Sequence, residues 1–132
     1  MVEAEGKKLD FLPPSAIETQ LLETFAYDGV PQEIHYHTDE FSAVCPFSGL
    51  PDIASVDIYY IPRACCLELK SLKYYFVSFR QVGIFQEHVT DRVFMDLWNV
   101  LEPRWLKIIT RYNTRGGIDA VCTVDSREIY PD

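Results

Sequence analysis

Positive charge is what this sequence has least of. Twelve Lys and Arg stand against 20 Asp and Glu in 132 residues, a formal net charge of −8. Phosphate backbones are held by clustered cations, so nucleic acid is excluded as the expected main partner. The chain has neither G-x-G-x-x-G nor G-x-x-x-x-G-K-[ST]; a nucleotide would be held by side chains, not by a Rossmann or P-loop backbone cradle. No apolar run approaches the ~20 residues of a membrane-spanning helix, so no membrane is expected. The four cysteines, Cys45, Cys65, Cys66 and Cys122, come without a signal-peptide pattern and do not read as a secreted disulfide framework. A reducing cytoplasm is the expected compartment. Repeats and low-complexity segments are absent too. The length suits one domain and is too short for separate cofactor and substrate domains.

What is present in abundance is aromatic: 14% of the residues, more than one small core uses, which points to self-association. Residues 1–14 mix charges with a Pro-Pro pair and read as a flexible tail, leaving 15–132 as the domain. Ile17, Leu21, Leu22 and Phe25 share a helical face, which predicts a short helix over Ala16–Phe25 with Ser15 as its cap. "EIHYHTDEFSAV" (Glu33–Val44) and "IASVDIYYIP" (Ile53–Pro62) alternate as strands and predict an antiparallel hairpin. In "LELKSLKYYFVSFRQ" (Leu67–Gln81), Leu69, Leu72, Tyr75, Phe76 and Phe79 fall on one helical side, with Gly83 as the stop. "FQEHVTDRVFMDLWNVLEP" carries the stripe Val89, Val93, Leu97 and Val100 and is halted by Pro103. "WLKIITRYN" and "IDAVCTVD" are two strands joined by Thr114-Arg115-Gly116-Gly117, whose glycines accept positive φ. The order β-β-α-α-β-β predicts an α+β fold: an antiparallel sheet with two helices on one face.

The turn between the first two strands, in "EFSAVCPFSGLPD" (Glu40–Asp52), carries the chemistry. Cys45 ends a strand before Pro46, and the path from Pro46 through Gly49 to Pro51 holds Asp52 near it. A thiol attacks as thiolate and needs a lowered pKa or a base, and Asp52 can move a proton beside the sulfur. Taken alone, Cys45 reads first as a small buried hydrophobe, and Asp52 also fits a turn-ending aspartate. Lys70, Lys73 and Arg80 form a cationic stripe on one helix, either a solvated face or a seat for phosphates. Glu87 and Glu68 open the two helices, where an acid favours the helix dipole; a carboxylate also reads a guanine-like edge, accepting from a ring N–H and an exocyclic amine. His35 and His37 share a strand face near Cys45, but Cys65-Cys66 lacks C-x-x-C spacing, and no metal is expected.

"CPFSGLPD", "ELKSLKYY" (Glu68–Tyr75) and "SFRQVGIFQEH" (Ser78–His88) together resemble the nitrile reductases of queuosine biosynthesis, the 7-cyano-7-deazaguanine reductases of the short, single-module QueF type, in the family's order and spacing over roughly Leu21 to Asp125. The resemblance implies a tunnelling fold, or T-fold, in which subunits pool their sheets into an oligomeric barrel with active sites at subunit interfaces, here two stacked pentamers. It implies that Cys45 is the nucleophile forming a covalent thioimide, that Asp52 is the proton donor, and that Glu87 with Leu67, Glu68 and Leu69 binds the substrate. It implies two NADPH per turnover as co-substrate, with Lys70 and Lys73 as the phosphate seat; Arg80 is added from the helical stripe. The family's His before the substrate-reading Glu is Gln86 here, which binds but cannot titrate. Val89 offers no second thiol to protect Cys45. The implied reaction is reduction of 7-cyano-7-deazaguanine to 7-aminomethyl-7-deazaguanine. The rivals are an amidine-forming transferase on the same nitrile in tRNA, a zinc-dependent pterin enzyme of the same fold using His35, His37 and a cysteine, and a non-catalytic oligomeric scaffold.

Overall fold

Alternating apolar residues on β2 (Ile34–Val44), β3 (Pro51–Ile61), β5 (Trp105–Arg115) and β6 (Ile118–Asp125) build an antiparallel sheet in the order β2-β3-β5-β6. The computed structural model describes residues 3–131. On β3, Ala54, Val56, Ile58 and Tyr60 are buried under the helices, whereas Ser55, Asp57 and Tyr59 face the other way. Two helices cover the first face: α1 (Leu69–Val77) and α2 (Gln86–Leu101). Between helices and sheet lie Phe41, Tyr75, Phe79, Phe94, Leu97, Leu106 and Ile108, all 1% exposed or less. The α+β arrangement with both helices on one face therefore stands as expected.

Two local expectations need correction. Ala16–Phe25 is not a helix: the chain makes 3-10 turns at Pro14–Ala16 and Thr19–Leu21, then a short strand, β1 (Thr24–Ala26). Ten residues are too few for a helix to hold itself, and β1 instead pairs with β4 (Cys65–Leu67), Phe25 opposite Cys66. Sequence reasoning missed β4, since three residues show no period and Leu67 fits the start of α1 as well. The second correction is the end of α1 at Val77, not Gln81. Ser78, Phe79 and Arg80 close tight turns onto the carbonyls three residues back, which tucks Phe79 fully into the core. Asp57 stands on the face of β3 turned away from the helices. It is only 4% exposed, because His35 and His37 on β2 and Arg111 on β5 close over its carboxylate.

The remaining boundaries follow local chemistry. Glu68 caps α1, its carboxylate accepting from the N–H groups of Lys70 and Ser71 at 2.9 and 2.8 Å, as an N-cap acceptor should. At the end of α2, Glu102 turns left-handed (φ 45°) before Pro103 blocks continuation. The chain ends in a short turn, α3 (Ser126–Ile129). Leu9 and Leu12, inside the stretch that composition reads as a tail, are tied down. The Leu9 N–H donates to Ser48 O (2.8 Å), Leu12 N–H to Gln81 O (2.7 Å), and Gly83 N–H to Leu12 O (2.9 Å). Met1 and Val2 of the tail, and Asp132 of the domain, lie outside the described residues.

Candidate active site

β2 runs out at Val44, paired with Pro51 at the start of β3, and the six residues between form the turn. Cys45 N–H donates to Leu50 O, and Gly49 N–H donates back to Cys45 O, both at 2.9 Å. Closing so tight a loop takes Gly49 to φ 74°, where a side chain would also strike Leu9. The same geometry aims the backbone N–H groups of Ser48 and Phe47 at the Cys45 sulfur. These, more than the Ser48 hydroxyl or the Arg115 charge, pull the thiol below its ordinary value, against a smaller opposing effect of burial. Donors that stabilise a thiolate are what a nucleophilic cysteine needs at neutral pH.

Asp52 follows on the core side of β3, opposite Ala43 and 6% exposed. Its one ion-pair partner among the described residues is the Arg115 guanidinium, which contacts Oδ1; that oxygen makes no other polar contact. Gln86 and Glu87 arrive by a different route. Past Val44 the β2 edge is occupied by residues 82–84, with Val44 N–H donating to Val82 O and Ile84 N–H to Val44 O. Two residues later α2 begins, and its first turn projects over the Cys45 turn. Cys45, Asp52, Gln86 and Glu87 thus line one cleft of about 350 Å³ with Phe47, Phe85 and Arg115. Phe47 and Phe85 meet edge to face, ring centres 5.6 Å apart, and are 67% and 44% exposed, an open aromatic wall suited to a flat heterocycle.

Other predicted residues lie elsewhere. Leu67, Glu68, Leu69 and Lys70 do not line the Cys45 cleft. The Leu67 side chain is in the core, 1% exposed, and its backbone N–H donates to Tyr60 OH at 3.0 Å. Glu68 is held as a carboxylate below its ordinary range by the N–H groups of Lys70 and Ser71. Leu69, Lys73 and Arg80 border a second hollow of about 620 Å³ between α1 and the first half of β2. Lys70 lies beside it, its ammonium 5.9 Å from the Tyr74 ring centre. His35 and His37 also border the hollow, yet they converge on Asp57 (2.6 and 2.9 Å) and not on Cys45. Among the described residues no three His, Cys, Asp or Glu are grouped to hold a metal ion.

Arg115, Phe47 and Phe85 were missed from the sequence. Arg115 reads there only as part of a Gly-Gly turn. Its nearness to Asp52 follows from the pairing of β3 with β5, Ala54 opposite Tyr112, which carries the 115–118 hairpin to the Pro51 end of β3. A lone cation in a tight turn of an acidic chain was the available signal.

Comparison with known proteins gives the family and the fold. The family model described as "QueF-like protein" matches residues 51–130. The NADPH-dependent 7-cyano-7-deazaguanine reductase of Thermotoga petrophila is 51% identical over 129 residues, covering 97% of this chain and 94% of that protein. The reductase of the same name from Caldicellulosiruptor bescii is 44% identical over 117 residues, 86% of this chain and 88% of its own. Among solved structures, the apo form of the archaeosine synthase QueF-Like superposes with a TM-score of 0.64 at 19% identity, over 75% of this chain and 95% of that one. That likeness is one of fold, and with it the sheet-and-helix topology is the tunnelling fold.

Proposed function

Because this chain belongs to the QueF-like family, among the NADPH-dependent 7-cyano-7-deazaguanine reductases, we propose that it reduces the nitrile of 7-cyano-7-deazaguanine with NADPH, a cytoplasmic step of queuosine biosynthesis, and that the Cys45 cleft is the site. The observation that carries the assignment of the site is the convergence of Cys45, Asp52, Gln86 and Glu87 on one cleft, with two backbone N–H groups stabilising the thiolate. Glu87 accepts from the ring N–H and exocyclic amine of the base, and Gln86 hydrogen-bonds beside it without exchanging protons. With the base edge fixed, the nitrile lies toward the turn. Cys45 adds to the nitrile carbon to give a thioimide, and Asp52 protonates the nitrogen as it gains electrons. When bound, NADPH supplies two hydrides in succession, one to the thioimide and one to the imine left when Cys45 departs. Phe47 and Phe85 limit water at the imine, which would otherwise hydrolyse.

Lys73 and Arg80 on the larger hollow, with Lys70 beside it, supply the positive charge that NADPH phosphates require. Glu68 and its neighbours are remote from the Cys45 cleft of the same chain, so on this reading they complete the cleft of an adjoining copy. β2 and β6 both leave one edge of the sheet open, and β6 exposes Ile118 and Val121 (71% and 58%). Pairing such edges from copy to copy closes a barrel, and two stacked pentamers are the proposed assembly.

Two assays test the proposal. Purified protein given 7-cyano-7-deazaguanine and NADPH, without added metal, should oxidise two NADPH per nitrile. Ammonia uptake without NADPH loss would favour an amidine-forming reaction instead, and activity lost on chelation and restored by zinc would favour a metal enzyme. Intact-mass spectrometry without NADPH should show wild type gaining one substrate mass, Cys45→Ala gaining none while still binding the base, and Asp52→Asn gaining it slowly. An adduct that maps to Cys65, Cys66 or Cys122 would remove Cys45 from the mechanism.

A further inference from the structure

Asp52 poses a problem that the residues named so far leave open. A group that protonates the nitrile nitrogen has to acquire that proton first, yet the buried carboxylate of Asp52 faces a guanidinium. A neighbouring cation favours the ionised form of a carboxylate, and an ionised Asp52 has no proton to give. The cleft supplies one source close by, the thiol of Cys45, which must itself lose a proton before it attacks.

We propose that Arg115 is a positioning residue that holds Asp52 as a carboxylate beside Cys45, so that Asp52 takes the thiol proton and then delivers it to the nitrile nitrogen. This rests on the reading of Cys45 and Asp52 given above. The proton leaves sulfur for Asp52, the S–C bond forms as one C–N π bond breaks, and that electron pair goes to nitrogen. Nitrogen then takes the proton from Asp52. Nothing is oxidised or reduced in the step, no outside acid is consumed, and Asp52 returns to the carboxylate that Arg115 pairs.

Three observations support the role. Arg115 is the one cation lining the cleft, where the other charged groups are Asp52 and Glu87 and the titratable one is Cys45. Among the described residues it is the sole polar partner of Asp52 Oδ1. It is also anchored where it can act on both groups, since the hairpin between β5 and β6 stands at the Pro51 end of β3, with the Arg115 side chain half-exposed over the cleft. Its charge helps lower the Cys45 thiol, although less than the turn's N–H groups do.

The test is adduct formation in the absence of NADPH, followed by intact mass across a pH series, for wild type, Arg115→Gln and Arg115→Lys. Loss of a charge-assisted contact should slow the adduct roughly ten- to hundredfold in Arg115→Gln and move its rising pH limb to higher pH, because thiol and carboxyl then hold their protons longer. Arg115→Lys, which keeps the charge, should recover most of the rate and the wild-type limb. Substrate-free iodoacetamide labelling of Cys45, mapped by digestion, should show the same displacement in Arg115→Gln. Wild-type adduct rate and pH profile in Arg115→Gln, with only a raised NADPH requirement in turnover, would overturn the proposal and assign Arg115 to the cofactor. Equal defects in the Gln and Lys variants without any pH displacement would overturn it in favour of a structural role. If wild type itself forms no adduct on Cys45, the reading of the site fails first and the proposal with it.

Discussion

Gly49→Ala tests how the turn makes Cys45 reactive. At φ 74° an alanine adopts a left-handed conformation, which costs about 1–2 kcal/mol. Its Cβ would lie 2.9 Å from the Leu9 carbonyl carbon and closer still to the oxygen, so Leu9 has to move. The Leu9 N–H to Ser48 O hydrogen bond goes with it, about 0.5–1.5 kcal/mol. Against this stands the stiffer unfolded chain of alanine, about 0.4–1 kcal/mol. The net expected loss is about 0.5–3 kcal/mol, read as a lowered urea midpoint with unchanged slope. Gly6→Ala is the control, since Gly6 also has positive φ but nothing within 4 Å, and it should lose only the conformational part. The functional consequence is separate. Displacing Ser48 and Phe47 takes their N–H groups off the sulfur, so the Cys45 thiol rises toward its ordinary value and iodoacetamide labels it more slowly at neutral pH. A Gly49→Ala protein as stable as the Gly6→Ala control, with Cys45 labelled at the wild-type rate, would refute the account of the turn.

Lys70→Ala and Lys73→Ala should each weaken NADPH by roughly one to two powers of ten, measured by titration, while leaving the NADPH-free adduct intact; loss of the adduct with normal NADPH affinity would place these cations elsewhere. The Asp57 cluster predicts a pH signature in stability. The hydrogen bonds that His37 donates to Asp57 and then Asp39 raise it above 6.5, so its contribution is complete below 6.5 and is lost as pH climbs through the raised value. Asp57 feels burial pushing its carboxyl up, but bonds from His35 and His37 outweigh it and leave it below 3.8; its contribution is complete above 3.8 and is lost as pH falls through the lowered value. Urea midpoints should therefore peak between these limits, and Asp57→Asn should flatten the profile. In the core, Asp96 accepts from Tyr75 OH (2.7 Å), Arg92 and Thr19. Asp96→Ala should cost about 1–3 kcal/mol because the buried tyrosine hydroxyl loses its acceptor, and adding Tyr75→Phe should recover part of that in a double-mutant cycle.

How much of this was legible beforehand depends on distance along the chain. The hairpin that presents Cys45 and Asp52 is written in adjacent residues: period-two alternation on both sides, two prolines and a glycine between. α2 was equally plain, since a repeated apolar stripe and Pro103 are local signals. Ala16–Phe25 misled because four apolar residues fit a helical face while the partner that claims Phe25 lies about forty residues away in β4. The burial of Asp57 was not legible either, since alternation assigns a face and cannot say that two histidines and an arginine from other strands will cover it.

Acting alone, therefore, the sequence determined the main strands, the helix α2 and the turn that brings Cys45 near Asp52, because each is set by φ preferences and side-chain spacing within a dozen residues. The tertiary structure decided what surrounds that pair. Gln86 and Glu87 reach the cleft only because residues 82–84 dock on β2, and Arg115 only because β5 pairs with β3 in a register that burial of Leu106, Ile108 and Tyr112 selects. Glu68, a carboxylate at a helix start like Glu87, caps α1 and does not line the Cys45 cleft of its own chain. Such choices rest on which apolar faces bury together, a free energy summed over the whole core and carried by no single stretch of the chain.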